Sequence, residues 1–272
     1  SPMAITKAEK AAYNDYVKNF KVEIEDNLKS IKDLEARRKK MANISGYLSV
    51  ELCLKYLKNV QIYMKMSDAS QEMLHIRNEK FLDNSRKDFY KVVQLLEEML
   101  GNDIERSLND NKEYLRKIDK LNPAQVLKII RTIMSVFNSL LKRMGESKWK
   151  WSFVDLQGRI AVLVKNFINF SDLQKNRDPR MEFYRDRQEL MRVCKSVLNE
   201  AAKQFRNKYE LSTKVPEDIL KSINLLAALR SIHILFGESE DATKLKNTID
   251  ALRARLEADE VKDEEDKKKK KK

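Results

Sequence analysis

The residues able to do chemistry are few. The chain has two histidines, His75 and His233, and two cysteines, Cys53 and Cys194. Glu72-Met73-Leu74-His75 has the Glu-x-x-His form that supplies half of a di-iron site in a helical bundle, the two side chains projecting from one helix face. Such a site needs the motif twice, and the residue three before His233 is Arg230. His233 lies in the apolar run Ile232 to Phe236 and reads as a core or semi-core histidine. Each cysteine sits inside an amphipathic segment, which fits a buried free thiol in a reducing compartment. No glycine-rich phosphate loop, zinc-type Cys/His spacing or nucleophile elbow occurs. The many carboxylates fall at the spacings of solvated helix faces with i,i+4 partners. The expectation is a protein that is not an enzyme, with no metal, no cofactor and no small-molecule substrate.

The chemistry that does stand out is cationic. The formal net charge is +13. Residues 122–214 hold 19 Lys/Arg and 9 Asp/Glu, a net of +10, while residues 1–121 carry +3 and the rest of the chain sums to zero. This central third also holds both tryptophans. Within it, Arg185, Arg192, Lys195, Lys203 and Arg206, with Asn199, fall in an arc of roughly 80° when wound at about 100° per residue. Phe183, Leu190, Cys194, Val197, Ala201 and Phe205 lie opposite, so this helix is expected to bury one side and offer a basic stripe on the other. Glu189 lies beside the stripe and dilutes it. A second cluster, Lys142, Arg143, Lys148, Trp149, Lys150 and Trp151, alternates indole with cation. That combination suits an acidic partner, base stacking or a membrane interface. The competing reading is a solvated face satisfied by acidic neighbours of the same chain, with one indole plugging the core between two helices.

The elements that must position these groups are helices. With 5 Gly and 4 Pro in 272 residues, 36% of them charged and 42% hydrophobic, the composition points to an all-α fold. Asn122 to Met144 is the expected centre. Its apolar residues, among them Leu127, Ile130, Ile133, Phe137, Leu140 and Met144, fill half of the helical wheel, more than the stripe a surface helix needs. Asn122 can cap it, Pro123 suits its first position and Gly145 can end it. Before it, Thr6 with Glu9 forms a capping box that opens a helix to about Met41. Val17, Ile24 and Ile31 repeat at seven in that helix, as do Tyr13, Phe20, Asn27 and Leu34. This is a heptad seam for another helix of the same chain. Gly46 marks a turn, and further helices are expected over about Ser49 to Met66, Ala69 to Leu100 with Ser67-Asp68 as cap, and Asp103 to Lys120. After the centre come Ser152 to about Phe170, where Gly158 allows a close helix contact, then Asp178-Pro179 opening a helix to about Tyr209. Pro216 to Phe236 and Ser239 to Ala258 complete the set.

The expected architecture is therefore an all-α array of about nine mostly antiparallel helices, a multi-helix bundle open to a helical-repeat-like arrangement. Residues 1–260 form a single domain and residues 261–272, an acidic run followed by lysines, a disordered tail. Ser1-Pro2 before Met3 resembles an expression scar, no signal peptide follows, and no apolar run long enough to span a bilayer is read from the sequence. The functional expectation is a cytoplasmic adaptor or scaffold whose basic central region binds an acidic protein partner. The alternatives are nucleic acid on the same region and, third, an anionic membrane surface.

Overall fold

The computed structural model describes residues 4–212 and 214–272; Ser1-Pro2 lies outside them. The fold is all-α: ten α-helices and no strand among the described residues. They are α1 (Lys7–Lys40), α2 (Ser45–Leu74), α3 (Glu79–Leu100), α4 (Asn111–Leu115), α5 (Pro123–Met144), α6 (Lys150–Asn166), α7 (Phe170–Lys175), α8 (Tyr184–Leu211), α9 (Pro216–Leu235) and α10 (Ser239–Lys270). Where the sequence reads residues 1–260 as a single domain, contacts divide the chain into two compact units. The first comprises residues 1–101, 116–121 and 128–150; the second comprises 102–115, 122–127 and 151–272.

In the first unit α1 packs along α2 through its heptad seam. The Thr6 hydroxyl accepts from the Glu9 amide and starts α1. Val17, Ile24, Ile31 and Leu34 are buried, and Val17 and Ile24 share a cluster with Ile62, Met66 and Ala69 of α2. Asn27, also on the seam, is buried and donates to the Lys55 carbonyl and to Asn59 Oδ1, both at 2.7 Å. A polar residue hydrogen-bonded across the seam at one position fixes helix register; Asn27 Oδ1 itself is buried without a partner among the described residues. The α2 and α3 boundaries differ from expectation. Gly46 is not a turn but lies in the first turn of α2, where an added Cβ would come 2.5 Å from the Lys117 carbonyl oxygen. Ser67-Asp68 does not cap a helix: Ser67 is buried inside α2, which runs on to Leu74. There His75 takes a left-handed conformation at φ 54° and ends the helix, and the Asn78 side chain accepts from the Phe81 amide to begin α3.

The helix α5 matches its expected span. Asn122 Oδ1 accepts from the Gln125 amide at 2.8 Å while Gln125 Oε1 accepts from the Asn122 amide at 2.9 Å, a reciprocal cap. By length and composition α5 is long and apolar enough to cross a membrane, against the sequence expectation that no such run exists. Its apolar residues Leu127, Ile130, Ile133, Val136, Phe137 and Leu140 are buried, and Phe137 meets the Phe89 ring of α3 at 5.8 Å.

The helix expected over Asp103 to Lys120 is largely replaced by short turns, with only α4 and two 3₁₀ segments, Leu108–Asp110 and Arg116–Ile118. Within the second unit the Lys165 side chain bonds the Ile104 and Arg106 carbonyls and so fixes the start of this segment as irregular backbone. In that unit α8, α9 and α10 pack in succession and α6 lies against α8 at Gly158. A Cβ at Gly158 would come 2.8 Å from Cζ of Phe205, so glycine sets this approach. Asp178-Pro179 does not open α8. Asp178 Oδ1 accepts from the Arg180 amide at 2.9 Å and its carboxylate binds the Arg180 guanidinium, making a local turn. Phe183 at φ 64° delays the helix to Tyr184. The tail expected to be disordered is helical to Lys270 and exposed. Acidic residues there precede lysines by one turn, as in the Lys267–Asp263 pair at 3.3 Å, the favourable order along a helix.

Candidate anion-binding face and a buried lysine

The predicted stripe lies on α8, in the second unit. Arg185, Arg192, Lys203 and Arg206 are exposed along a line of about 30 Å at 1.5 Å per residue. Leu190, Cys194, Leu198, Ala201 and Phe205 are buried on the other side. Two of the exposed cations have partners on their own helix. The Arg192 guanidinium donates twice to Glu189, each bond 2.9 Å, and Arg206 lies 3.5 Å from Glu210. Arg185 and Lys203 make no ion pair among the described residues. Lys195 differs from the rest: its side chain is 22% exposed and its ammonium binds Glu238 Oε1 at 2.7 Å. That oxygen also meets His233 Nδ1 at 3.0 Å. Lys195 thus joins α8 to the α9–α10 turn and is taken out of the open stripe.

The second predicted cluster divides between the units. Lys142 is exposed. Arg143 is committed internally: it forms a two-bond pair with Asp68 and donates to the Ser139 carbonyl at 2.8 Å. Trp149 is half-buried, with the Arg86 guanidinium 3.8 Å from its ring and the Lys148 ammonium 5.1 Å away. Lys148 and Lys150 are exposed, and Lys150 lies 3.9 Å from Glu146. Trp151, half-buried, belongs to the second unit.

A residue that sequence reasoning passed over is Lys165. It ends α6 inside the apolar run Leu163 to Ile168 and is 1% exposed. Its ammonium donates to the carbonyls of Ile104, at 3.1 Å, and Arg106, at 2.8 Å. Asn111, fully buried, donates from its amide to the carbonyls of Lys165 and Ile168 and accepts from the Arg106 guanidinium. These bonds hold the irregular segment 104–111 to the end of α6. A lysine interrupting six otherwise mostly apolar positions was the only signal available in the sequence.

A family model matches residues 9–260. The chain belongs to the TP0443 family. No curated protein matches, and no solved structure does. The family name states no activity, so the chemistry of this TP0443-family chain rests on its own residues.

Burial pushes the Lys165 pKa down from 10.5 to about 8, with Arg106 adding to the effect and Cys194 and Asp103 opposing it. Burial likewise pushes the Cys53 and Cys194 thiols up to about 12; both are free and buried. Around His233, burial works against the Glu238 carboxylate, but the bonds from Lys195 and His233 outweigh it and hold Glu238 below its usual range. His233, Glu238 and Asp241 are close enough to share a metal ion, yet the Lys195 ammonium already occupies the Glu238 oxygen that would bind it. Among the described residues Glu72 and His75 belong to no such group, and His75 is the residue that terminates α2.

Proposed function

We propose that this TP0443-family chain is a non-enzymatic adaptor or scaffold that binds an acidic protein partner along α8. The supporting observation is that Arg185, Arg192, Lys203 and Arg206 stay exposed in one line, with their ion-pair partners confined to α8 itself. Ion pairs between exposed side chains one turn apart contribute only about 0.3–0.5 kcal/mol. Such pairs do not hold the Arg192 and Arg206 guanidinium groups against the carboxylates of a partner. A rigid row of cations some six turns long gives electrostatic complementarity to an elongated acidic surface, which acts on partner choice and association rate.

The test is capture of partners from lysate, with and without nuclease, by the wild-type chain and by Arg185→Glu with Lys203→Glu. These two side chains make no ion pair, so their reversal removes positive charge without releasing a carboxylate. The expected result is a protein partner that survives nuclease, is lost from the double variant and dissociates as salt rises. Loss of all partners with nuclease treatment, or equal capture by a folded double variant, overturns the reading.

A further inference from the structure

The helix α9 is apolar on almost every side, yet the face bearing Asn224, Ala227, Ser231 and Ile234 is not closed over. Ile234 is 53% exposed. With the irregular segment 104–109 and Arg253 of α10 this face forms a cleft of about 470 Å³ in the second unit, within the roughly 300–1,000 Å³ of small-molecule sites. Its lining includes the small side chains Ala227, Ala228 and Ser231 and the apolar Ile104, Ile234 and Leu235.

Lys165 lies on the wall of this cleft. It is almost completely buried, and its two acceptors are neutral carbonyls. The third ammonium proton has no acceptor among the described residues, and no carboxylate forms an ion pair with it. A desolvated charge without a counter-ion is costly, and proteins ordinarily pair it. No carboxylate of the surroundings is in ion-pair contact: Arg106 and Arg253 add two cations to the lining, against Glu105 there and Asp103 nearby, whose charge acts on Lys165 only from a distance. The depressed pKa of Lys165 expresses the same imbalance.

We propose that the cleft binds an aliphatic monocarboxylate, its carboxylate accepting the third proton of Lys165 and its chain lying along Ala227, Ser231 and Ile234. Arg253, exposed at the rim, provides a second cation. One buried donor with a single rim arginine suits a monoanion, and the apolar walls suit a hydrocarbon chain; a phosphate dianion would need more donors than this lining offers. The site is separate from the outer face of α8, and its occupancy does not depend on the protein-binding role.

Calorimetric titration of the full chain tests this with octanoate as ligand, octanol as its uncharged counterpart and inorganic phosphate as the anion without a chain. Saturable octanoate binding is expected, with octanol and phosphate at least about tenfold weaker. Lys165→Met should weaken octanoate at least about tenfold, and because it strands two carbonyls its fold must be checked by circular dichroism. Ser231→Trp fills the cleft from an exposed position without touching Lys165 and should weaken octanoate to the same degree. Arg185→Glu with Lys203→Glu should bind octanoate as the wild type does. Absence of saturable octanoate binding, equal binding of octanol, or wild-type affinity in Ser231→Trp overturns the proposal.

Discussion

Cys53 and Cys194 show how burial decides reactivity at single residues. Each is 1% exposed or less, and loss of water around the thiolate pushes both thiols up to about 12. The thiolate is the reactive form, so near pH 8 neither cysteine should react with a disulfide reagent in the folded chain, and both should react once denatured. Rapid labelling of one thiol in the native protein would contradict this. Lys165 is the reverse case. Its ammonium is bonded to carbonyls alone, and burial lowers its pKa from 10.5 to about 8. Asn111 and Lys165 together show that an irregular segment need not be loose: four bonds from two buried side chains reach its backbone or the end of α6.

At the scale of the element, α8 presents two kinds of cation. Arg192 and Arg206 pair within the helix and remain in water. Lys195 reaches the α9–α10 turn, and Lys208, 16% exposed, lies 3.3 Å from both Asp155 of α6 and the buried Asp218 of α9. The two classes predict different mutant behaviour. Lys195→Met should lower stability by about 1–2 kcal/mol through the lost charged hydrogen bond, or roughly 2–8 °C in Tm. Arg185→Glu with Lys203→Glu should leave the melt within about 1 kcal/mol of wild type, since surface changes usually cost no more than about 0.5 kcal/mol each. Thermal melts followed by circular dichroism compare them; a Lys195→Met protein as stable as wild type would show that the bridge contributes nothing.

For the whole molecule the shifted groups set an alkaline limit. Cys53, Cys194, Tyr56 and Tyr209 are all pushed up to about 12, from ordinary values of 9.0 for the thiols and 10.0 for the phenols. Between those values and about 12 the folded chain holds protons that the unfolded chain releases, so stability falls as pH rises through that window. Lys165 acts in the opposite sense. Its folded value of about 8 lies below its ordinary 10.5, so the unfolded chain binds the extra proton and stability rises with pH between them. Four groups outweigh one above about pH 9. Tm should change little between about pH 7 and 9 and fall clearly by about pH 10.5; a melt that rises throughout would show Lys165 to dominate.

The helical class follows from composition and spacing alone, because apolar residues at the helical period and scarce glycine and proline leave no other way to bury this much core. The sequence also located α5 with both its ends, the seam of α1, the close approach at Gly158 and the buried side of α8, since each depends on local periodicity or a local cap. Features built by residues distant in the chain come from packing instead. Ser67-Asp68 has the form of a helix start, but Ser67 is buried within α2 and Asp68 is taken by Arg143, so α2 continues to Leu74. The span 103–120 carries enough charge and spacing to read as a helix, yet Lys165 and Asn111 tie its first part, residues 104–111, to the end of α6. The excess of ten positive charges reads as a basic central region. Packing removes Arg143, Lys165, Lys195 and Lys208 from it by giving each an internal acceptor, because a charge brought to the interior must find a partner there. Lys165 finds only carbonyls, and that shortfall, invisible in the sequence, is what the proposed carboxylate site rests on.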